Sequence, residues 1–409
     1  MKVVVVNQKR LDLGESLLNE DGPTVSGTQM VVGAALFDED ERIVPLVSEF
    51  LTNAAREHSL AFPSVETYGR NIGYFLSHAR AQDAYKHLSH DEVLLTVNRL
   101  TIAQYLEHLR NVEELDSTTI RNRDACLRTI ISGYLCVARN DSPALRTTDP
   151  YSLGFISPKP KRRLVTACSL SDLKVLMLRS PYERERAVLQ FIFDTGVRRS
   201  ELGRVTAEAI NTALGFAASN FICDSYETPI KPEYCPLYIH GSKGRGNEEK
   251  PRWAVVSRIT LERVKKYMAS PLYRKYARGY KHGEAPCFFN ADGRAYTADA
   301  ISQLLRRLSE KAVAKRLLSK TIAPHKLRHG NAYAILNSPD LGSDFLERLV
   351  ITQKSLGHSR METTEGYTLV PHDIYTVLSA ETGEVMTRSA LMAELYSKTK
   401  LKIDLAAKK

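Results

Sequence analysis

Residues 141–165, DSPALRTTDPYSLGFISPKPKRRLV, hold four prolines and no hydrophobic period, and this stretch constrains the fold more than any other. Its composition predicts an extended linker between domains rather than a helix or a strand. A chain of 409 residues has room for two or three domains with separate cores. Charge divides at the same place. Residues 1–160 carry 16 Lys+Arg against 21 Asp+Glu, a balance of −5; residues 161–409 carry 41 against 26, a balance of +15. A basic excess confined to one side predicts a polyanionic partner there, nucleic acid before others. Charge alone leaves a generic basic surface equally open.

Apolar residues at 43% and charged residues at 25% exclude a disordered or fibrous chain. The six cysteines (126, 136, 168, 223, 235 and 287) form no CxxC pair, which predicts reduced, mostly buried thiols and a cytoplasmic protein. Val3 to Val6 is too short for a signal peptide, and no stretch approaches the ~18 apolar residues of a membrane span.

The β-branched runs MKVVVV and QMVVGAALF predict short strands within the first residues. From residue 43 the period changes. Ile43, Leu46, Val47, Phe50 and Leu51 recur at helical spacing, then Tyr68, Ile72, Phe75 and Leu76. Further helices start at Thr101 and near Asp116, whose carboxylate with Ser117 can cap free amides. The second of these leaves Arg121, Arg123 and Arg128 on its polar side as candidate DNA contacts. Lys161, Arg162 and Arg163 in the linker are candidates too, with a solvated basic cluster as the alternative. Beyond the linker, Ser169, Ser171 and Asp172 offer caps for a helix through Leu178. ERERAVLQFIFDT predicts a helix running into Gly196, and another is expected beyond Arg198. PLYIHGS and RWAVVS predict a hairpin across a glycine-rich turn. Residues 297–317, 325–338, 343–356 and 371–380 read as helices, as does SALMAELYSK in the tail.

Six polar residues of the basic half stand in distinctive local words. They are Arg198 in TGVRRSEL, Lys243 in HGSKGRG, His325 and Arg328 in PHKLRHG, His358 in LGHS and Tyr367 in GYTLV. A phosphodiester resists attack because negative charge deepens on its non-bridging oxygens in the transition state. Without a metal, a site must supply positive charge and donors where that charge develops. Guanidinium groups suit this task through their planar, permanently charged fork. A lysine in a hairpin turn can protonate a leaving oxygen, and cationic neighbours can favour the phenolate of a tyrosine. Glu201 lies three residues after Arg198 and can fix its guanidinium; Arg199 is the rival arginine. Histidines 325 and 329 at i and i+4 could hold zinc, but the Glu of HExxH is missing, so no metal site is assigned.

The order of these residues, their local words and the nine-residue step from His358 to Tyr367 resemble the tyrosine recombinase (phage integrase) family, most strongly over residues 165–375. The resemblance implies a mainly α fold with a small antiparallel β-sheet, arranged as a two-domain DNA clamp. Residues 1–36 would be an N-terminal extension, 37–142 a helical core-binding (SAM-like) domain and 143–166 the basic linker. An α+β catalytic domain would span 167–380, and a tail helix in 381–409 would dock on a neighbouring subunit. Tyr367 would attack the scissile phosphate to form a 3′-phosphotyrosyl bond, and Lys243 would protonate the leaving 5′ oxygen. Arg198, Arg328, His325 and His358 would hold the phosphate, supported by Glu201 and His329, with Arg245 on the DNA backbone. The covalent link stores the bond energy, so no cofactor is implied. The family exchanges strands through a Holliday junction, as a homotetramer on two sites of double-stranded DNA, and directionality or accessory proteins are possible partners.

The expected function is therefore a site-specific recombinase or integrase, with a mobile element as its setting. The alternatives are a type IB topoisomerase-like relaxing enzyme and a non-catalytic DNA-binding accessory protein. Two departures from compact family members stand out: an insertion within residues 206–236, and the long tail after Tyr367.

Overall fold

The structure is a computed structural model and describes residues 1–12, 28–139, 142–161, 166–216, 231–241, 250–281, 283–358, 364 and 382–401. It is mostly helical, with two small antiparallel sheets. Two compact units divide the chain, one built on residues 1–162 and the other on residues 163–243 and 249–409. Among the described residues no helix is long and apolar enough to cross a membrane.

In the first unit β1 (Lys2–Asp12) pairs antiparallel with β2 (Thr28–Phe37), Lys2 opposite Phe37, and the register slips between Val6 and Lys9. The hairpin packs on α1 (Pro45–Arg56) and α2 (Phe62–Arg80), with Ala34 and Leu36 in the same core as Leu51, Ile72 and Phe75. Two α1 hydroxyls take backbone donors of β2: Ser48 accepts from the Leu36 amide at 3.0 Å and Thr52 from the Ala34 amide at 3.1 Å. An open strand edge is thereby covered. The short α3 (His90–Thr96) was not anticipated, although Ser89 and Glu92 form a reciprocal capping box before it. Then come α4 (Arg99–Asn111) and α5 (Ser117–Ile130), and Asp116 caps α5 by accepting from the Thr118 and Thr119 amides.

The proline-rich stretch is not an extended tether throughout. Its first part is fastened to α5 through Asp124, which is wholly buried and accepts from Tyr151 Oη at 2.9 Å, the Ile156 amide at 3.1 Å and the Ser157 amide at 2.8 Å. Buried Arg146 donates to the carbonyls of Leu94 and Thr148, each at 2.6 Å, and to that of Val97. These bonds satisfy acceptors where α3 ends.

The second unit begins with α6 (Leu170–Arg179), capped by Ser169, and α7 (Glu183–Thr195), which is buried almost all round. Beyond Arg198 the expected helix does not form. A turn and one 3₁₀ turn (Leu202–Arg204) precede α8 (Ala207–Gly215), whose start is fixed by the Thr206 hydroxyl accepting from the Ala209 amide. Strands β3 (Tyr234–Ile239) and β4 (Arg252–Ser257) pair antiparallel as anticipated, Ile239 opposite Arg252. Helices α9 (Arg258–Met268) and α10 (Pro271–Ala277) follow without having been foreseen. After them come α11 (Ala298–Ala314), α12 (Pro324–Leu336) and α13 (Phe345–Leu356). The tail helix, α14 (Arg388–Thr399), packs on its own unit: Leu391, Met392 and Leu395 join the core that includes α6, α7 and α9. Residues 217–230 of the insertion, Cys223 among them, and residues 371–380 lie outside the described residues.

Candidate active site

Helix α7 ends at Gly196, which adopts φ +60°, and the chain turns there to present Arg198. A Cβ at this position would lie 2.6 Å from Leu356 Cδ2 and 2.9 Å from Asn331 Oδ1, so both backbone shape and space require glycine. Arg198 is fixed by Glu201, whose side chain is wholly buried. Glu201 Oε1 accepts from Arg198 Nη1 at 2.7 Å and Oε2 from the Arg198 amide at 2.8 Å. Burial alone would raise the Glu201 carboxyl, but the Arg252 charge, the Arg198 amide and the Arg198 guanidinium outweigh it and hold it below the usual range. Arg199 turns elsewhere, donating to Ser302 Oγ on α11 at 2.9 Å.

Arg328 reaches the same turn from α12. Only 1% of it is exposed; Nη1 donates to the Gly196 carbonyl at 2.5 Å and Nη2 to the Leu356 carbonyl. Both acceptors close a helix C-terminus, where partial negative charge gathers. One guanidinium thus joins the end of α7, which leads to Arg198, to the end of α13, which leads to His358.

Three histidines complete the cluster. The rings of His325 and His329, one turn apart on α12, meet edge to face at 4.4 Å. His358 follows Gly357, the left-handed cap of α13, and its Nδ1 lies 2.9 Å from Thr364 Oγ1. Burial, then the charges of Arg328, Arg198 and Arg252, push His358 down to about 3. Burial, then His325 and Arg328, push His329 down to about 4. Desolvation by the surrounding chain, then Arg328 and Arg198, also lower His325. Burial first, and then the surrounding positive charge, disfavours protonation of the three imidazoles, and that concentration of charge suits an anion.

Of the residues singled out in the sequence, Arg198, Glu201, His325, Arg328, His329 and His358 are brought together here. Lys243, Arg245 and Tyr367 lie outside the described residues, as do Arg162 and Arg163; Lys161 is exposed. The arginines of α5 are engaged within the first unit. Arg121 donates to the Ser157 carbonyl at 2.5 Å and lies 3.5 Å over the Phe155 ring, with Arg128 over the same ring at 4.5 Å. Arg123 donates to Tyr105 Oη at 3.2 Å and pairs with Glu113 at 3.7 Å. One member of the cluster was not foreseen. Arg252, first residue of β4, has a side chain only 5% exposed and donates to Glu201 Oε2 at 2.9 Å. The signal was a charged residue opening an otherwise apolar strand.

Residues 162–372, rather more than half the chain, match the model of the phage integrase family. The chain belongs to the phage integrase family. It is 25% identical over 329 residues to tyrosine recombinase XerD of Halalkalibacterium halodurans, covering 79% of this chain and 92% of that one. To tyrosine recombinase XerC of Roseiflexus castenholzii it is 26% identical over 338 residues, covering 80% and 89%. Two solved structures share the fold. The Tn1549 transposon integrase in complex with transposon right end DNA superposes with a TM-score of 0.51 at 14% identity, covering 82% of this chain and 95% of that one. A lambda integrase dimer bound to a core site gives 0.50 at 15% identity, covering 79% and 93%. This phage integrase family member is thus a tyrosine-type, site-specific DNA recombinase.

Proposed function

We propose that Arg198, His325, Arg328 and His358 bind one scissile phosphate of a DNA duplex and that Tyr367 attacks it. The Tyr367 phenol gives up its proton and its oxygen forms the new bond to phosphorus. The bond from phosphorus to the 5′ oxygen breaks, and Lys243 protonates that oxygen. The result is a 3′-phosphotyrosyl link and a free 5′-hydroxyl. Attack by the 5′-hydroxyl of a second duplex reverses the step and exchanges the strands. Two such rounds pass through a Holliday junction and engage four copies of the chain on two sites.

One observation carries this reading: Glu201 fixes Arg198 two residues beyond Gly196 while Arg328 donates to the Gly196 carbonyl, and both charges add to the burial that lowers His358. A bound phosphate supplies the missing negative charge, raises the imidazoles and lets them share a proton with its oxygens. Support for Tyr367 comes from Thr364, three residues before it, whose hydroxyl meets His358. The insertion and the long tail favour service to a mobile element over resolution of chromosome dimers.

A plasmid carrying two copies of the recognition site tests the reading. Deletion or inversion between the sites is the expected product. Relaxation of supercoils without exchange would identify a topoisomerase-like enzyme instead, and binding with neither would identify an accessory protein.

A further inference from the structure

Glu201 does not serve Arg198 alone. Arg252 approaches the same carboxylate from β4, donating from Nη2 to Glu201 Oε2 at 2.9 Å and to the Gly196 carbonyl at 3.3 Å. The Gly196 carbonyl is also the acceptor for Arg328. One buried carboxylate and one carbonyl therefore organise three guanidinium groups. The stem of Arg252 is seated as well: a Cβ on Gly357, the residue before His358, would lie 2.5 Å from Arg252 Cδ. Arg252 and His358 also line one cavity of about 260 Å³, together with Tyr238, Trp253, Lys354 and Gly357.

We propose that Arg252 is a positioning residue for the recombination reaction: it holds Glu201 in the plane that presents Arg198 to the phosphate, and supplies a second buried cation behind it. The charge arithmetic shows why one arginine does not suffice. With Arg198 alone, the Glu201 carboxylate would neutralise the guanidinium meant for the phosphate. With Arg252 sharing Glu201, the pair keeps a net positive charge, and Arg328 adds another. The carboxylate also gains a fixed orientation, because its two oxygens are engaged from two sides. The charge of Arg252 reaches His358 too, in keeping with this placement.

The proposal rests on the assignment of Arg198 and Arg328 as phosphate ligands, and the test separates the two. A nicked duplex, isolated by covalent capture from a random-sequence pool, is mixed with excess protein. Single-turnover adduct formation and DNA affinity are then measured for wild type, R252M, R252Q, R252K, R198A and R198A/R252M. Loss of the groups that orient metal ligands typically costs about 10- to 100-fold, and a comparable loss in adduct rate is expected for R252M and R252Q, with affinity within about 3-fold of wild type. R252K restores most of the rate, because one ammonium can reach both acceptors. In the R198A background R252M adds little, since the group it positions is gone.

R252M at the wild-type rate, or losses that multiply in the double variant, would overturn the role of Arg252 while leaving the recombinase reading intact. If R252M and R252Q fail to fold, R252K decides: an adduct rate as low as that of R198A, in a protein that folds like wild type, would overturn the proposal. A wild-type protein that captures no duplex from the pool removes the phosphate-ligand assignment itself.

Discussion

Arg388 and Asp194 form an ion pair at 2.9 Å with both side chains wholly buried. Asp194 also accepts from the Ser257 amide at 2.9 Å and the Ser257 hydroxyl at 3.1 Å, and Arg388 donates to the Val255 carbonyl at 2.8 Å. The pair therefore locks the first residue of α14 to the end of β4 and to the last turn of α7, two residues before Gly196. Support for the Gly196 turn arrives from a helix nearly two hundred residues further along the chain.

Removing one partner of such a pair strands a buried charge, and R388M is expected to lose about 3–5 kcal/mol in urea unfolding. Deleting residues 385–409 goes further. It uncovers the core around Leu391, Met392 and Leu395 and takes away the Thr399 carbonyl that accepts from Arg186 at 2.7 Å. The truncated chain should fail to fold its second unit. Wild-type melting of that chain would show that the tail is dispensable to the core.

Removal of a single donor from a charge-stabilising site costs on the order of 10²–10³ in rate. R198A is expected to fall in that range for adduct formation with a nicked duplex, read in single turnover. R328K should fall comparably, because a lysine cannot span the Gly196 and Leu356 carbonyls as the fork of Arg328 does. Rates within about 3-fold of wild type for either variant would place the phosphate elsewhere.

The grouping of Arg198, His325, Arg328 and His358 was legible because each local word carries its own physical demand, as Gly196 shows by turning where a side chain would strike Leu356, whereas Lys243 and Tyr367 lie outside the described residues. Helical periodicity likewise fixed α1, α2 and α5. Arg252 escaped because a lone arginine opening a strand looks like surface charge, and only the fold brings Glu201 to it. The stretch from Tyr151 to Ser157 escaped for a similar reason: the prolines that flank it, Pro150 and Pro158, read as a tether, while its anchor, Asp124, sits on α5. Helix α9 follows β4 without a loop, leaving no turn residue to announce it.

That anchor is testable. Asp124 accepts from two amides and two hydroxyls, the shortest at 2.6 Å from Ser157 Oγ. In D124N a side-chain amide would face those donors, at an expected cost of about 1–3 kcal/mol. Limited proteolysis should then cut near Phe155, where wild type resists. Equal resistance of both proteins would mean that the anchor does not depend on the carboxylate.

The histidines predict a pH dependence of stability. His358 and His329 sit at about 3 and about 4 when folded, against an ordinary 6.5. The unfolded chain binds more protons between those values, so stability is fully present above about pH 6.5 and is lost as the pH falls toward 3. The double variant H329N/H358N should show a shallower fall in melting temperature between pH 6.5 and 4.5. An unchanged slope would mean that the two imidazoles titrate normally in the folded protein.

On the proposed mechanism the phenol of Tyr367 becomes covalently joined to DNA. Protein incubated with the nicked duplex, digested with protease and mapped by mass spectrometry should carry a nucleotide 3′-phosphate on the peptide containing Tyr367. Tyr367→Phe should bind the same duplex and carry none. A nucleotide on any other residue, or an adduct that survives the phenylalanine substitution, would contradict the account.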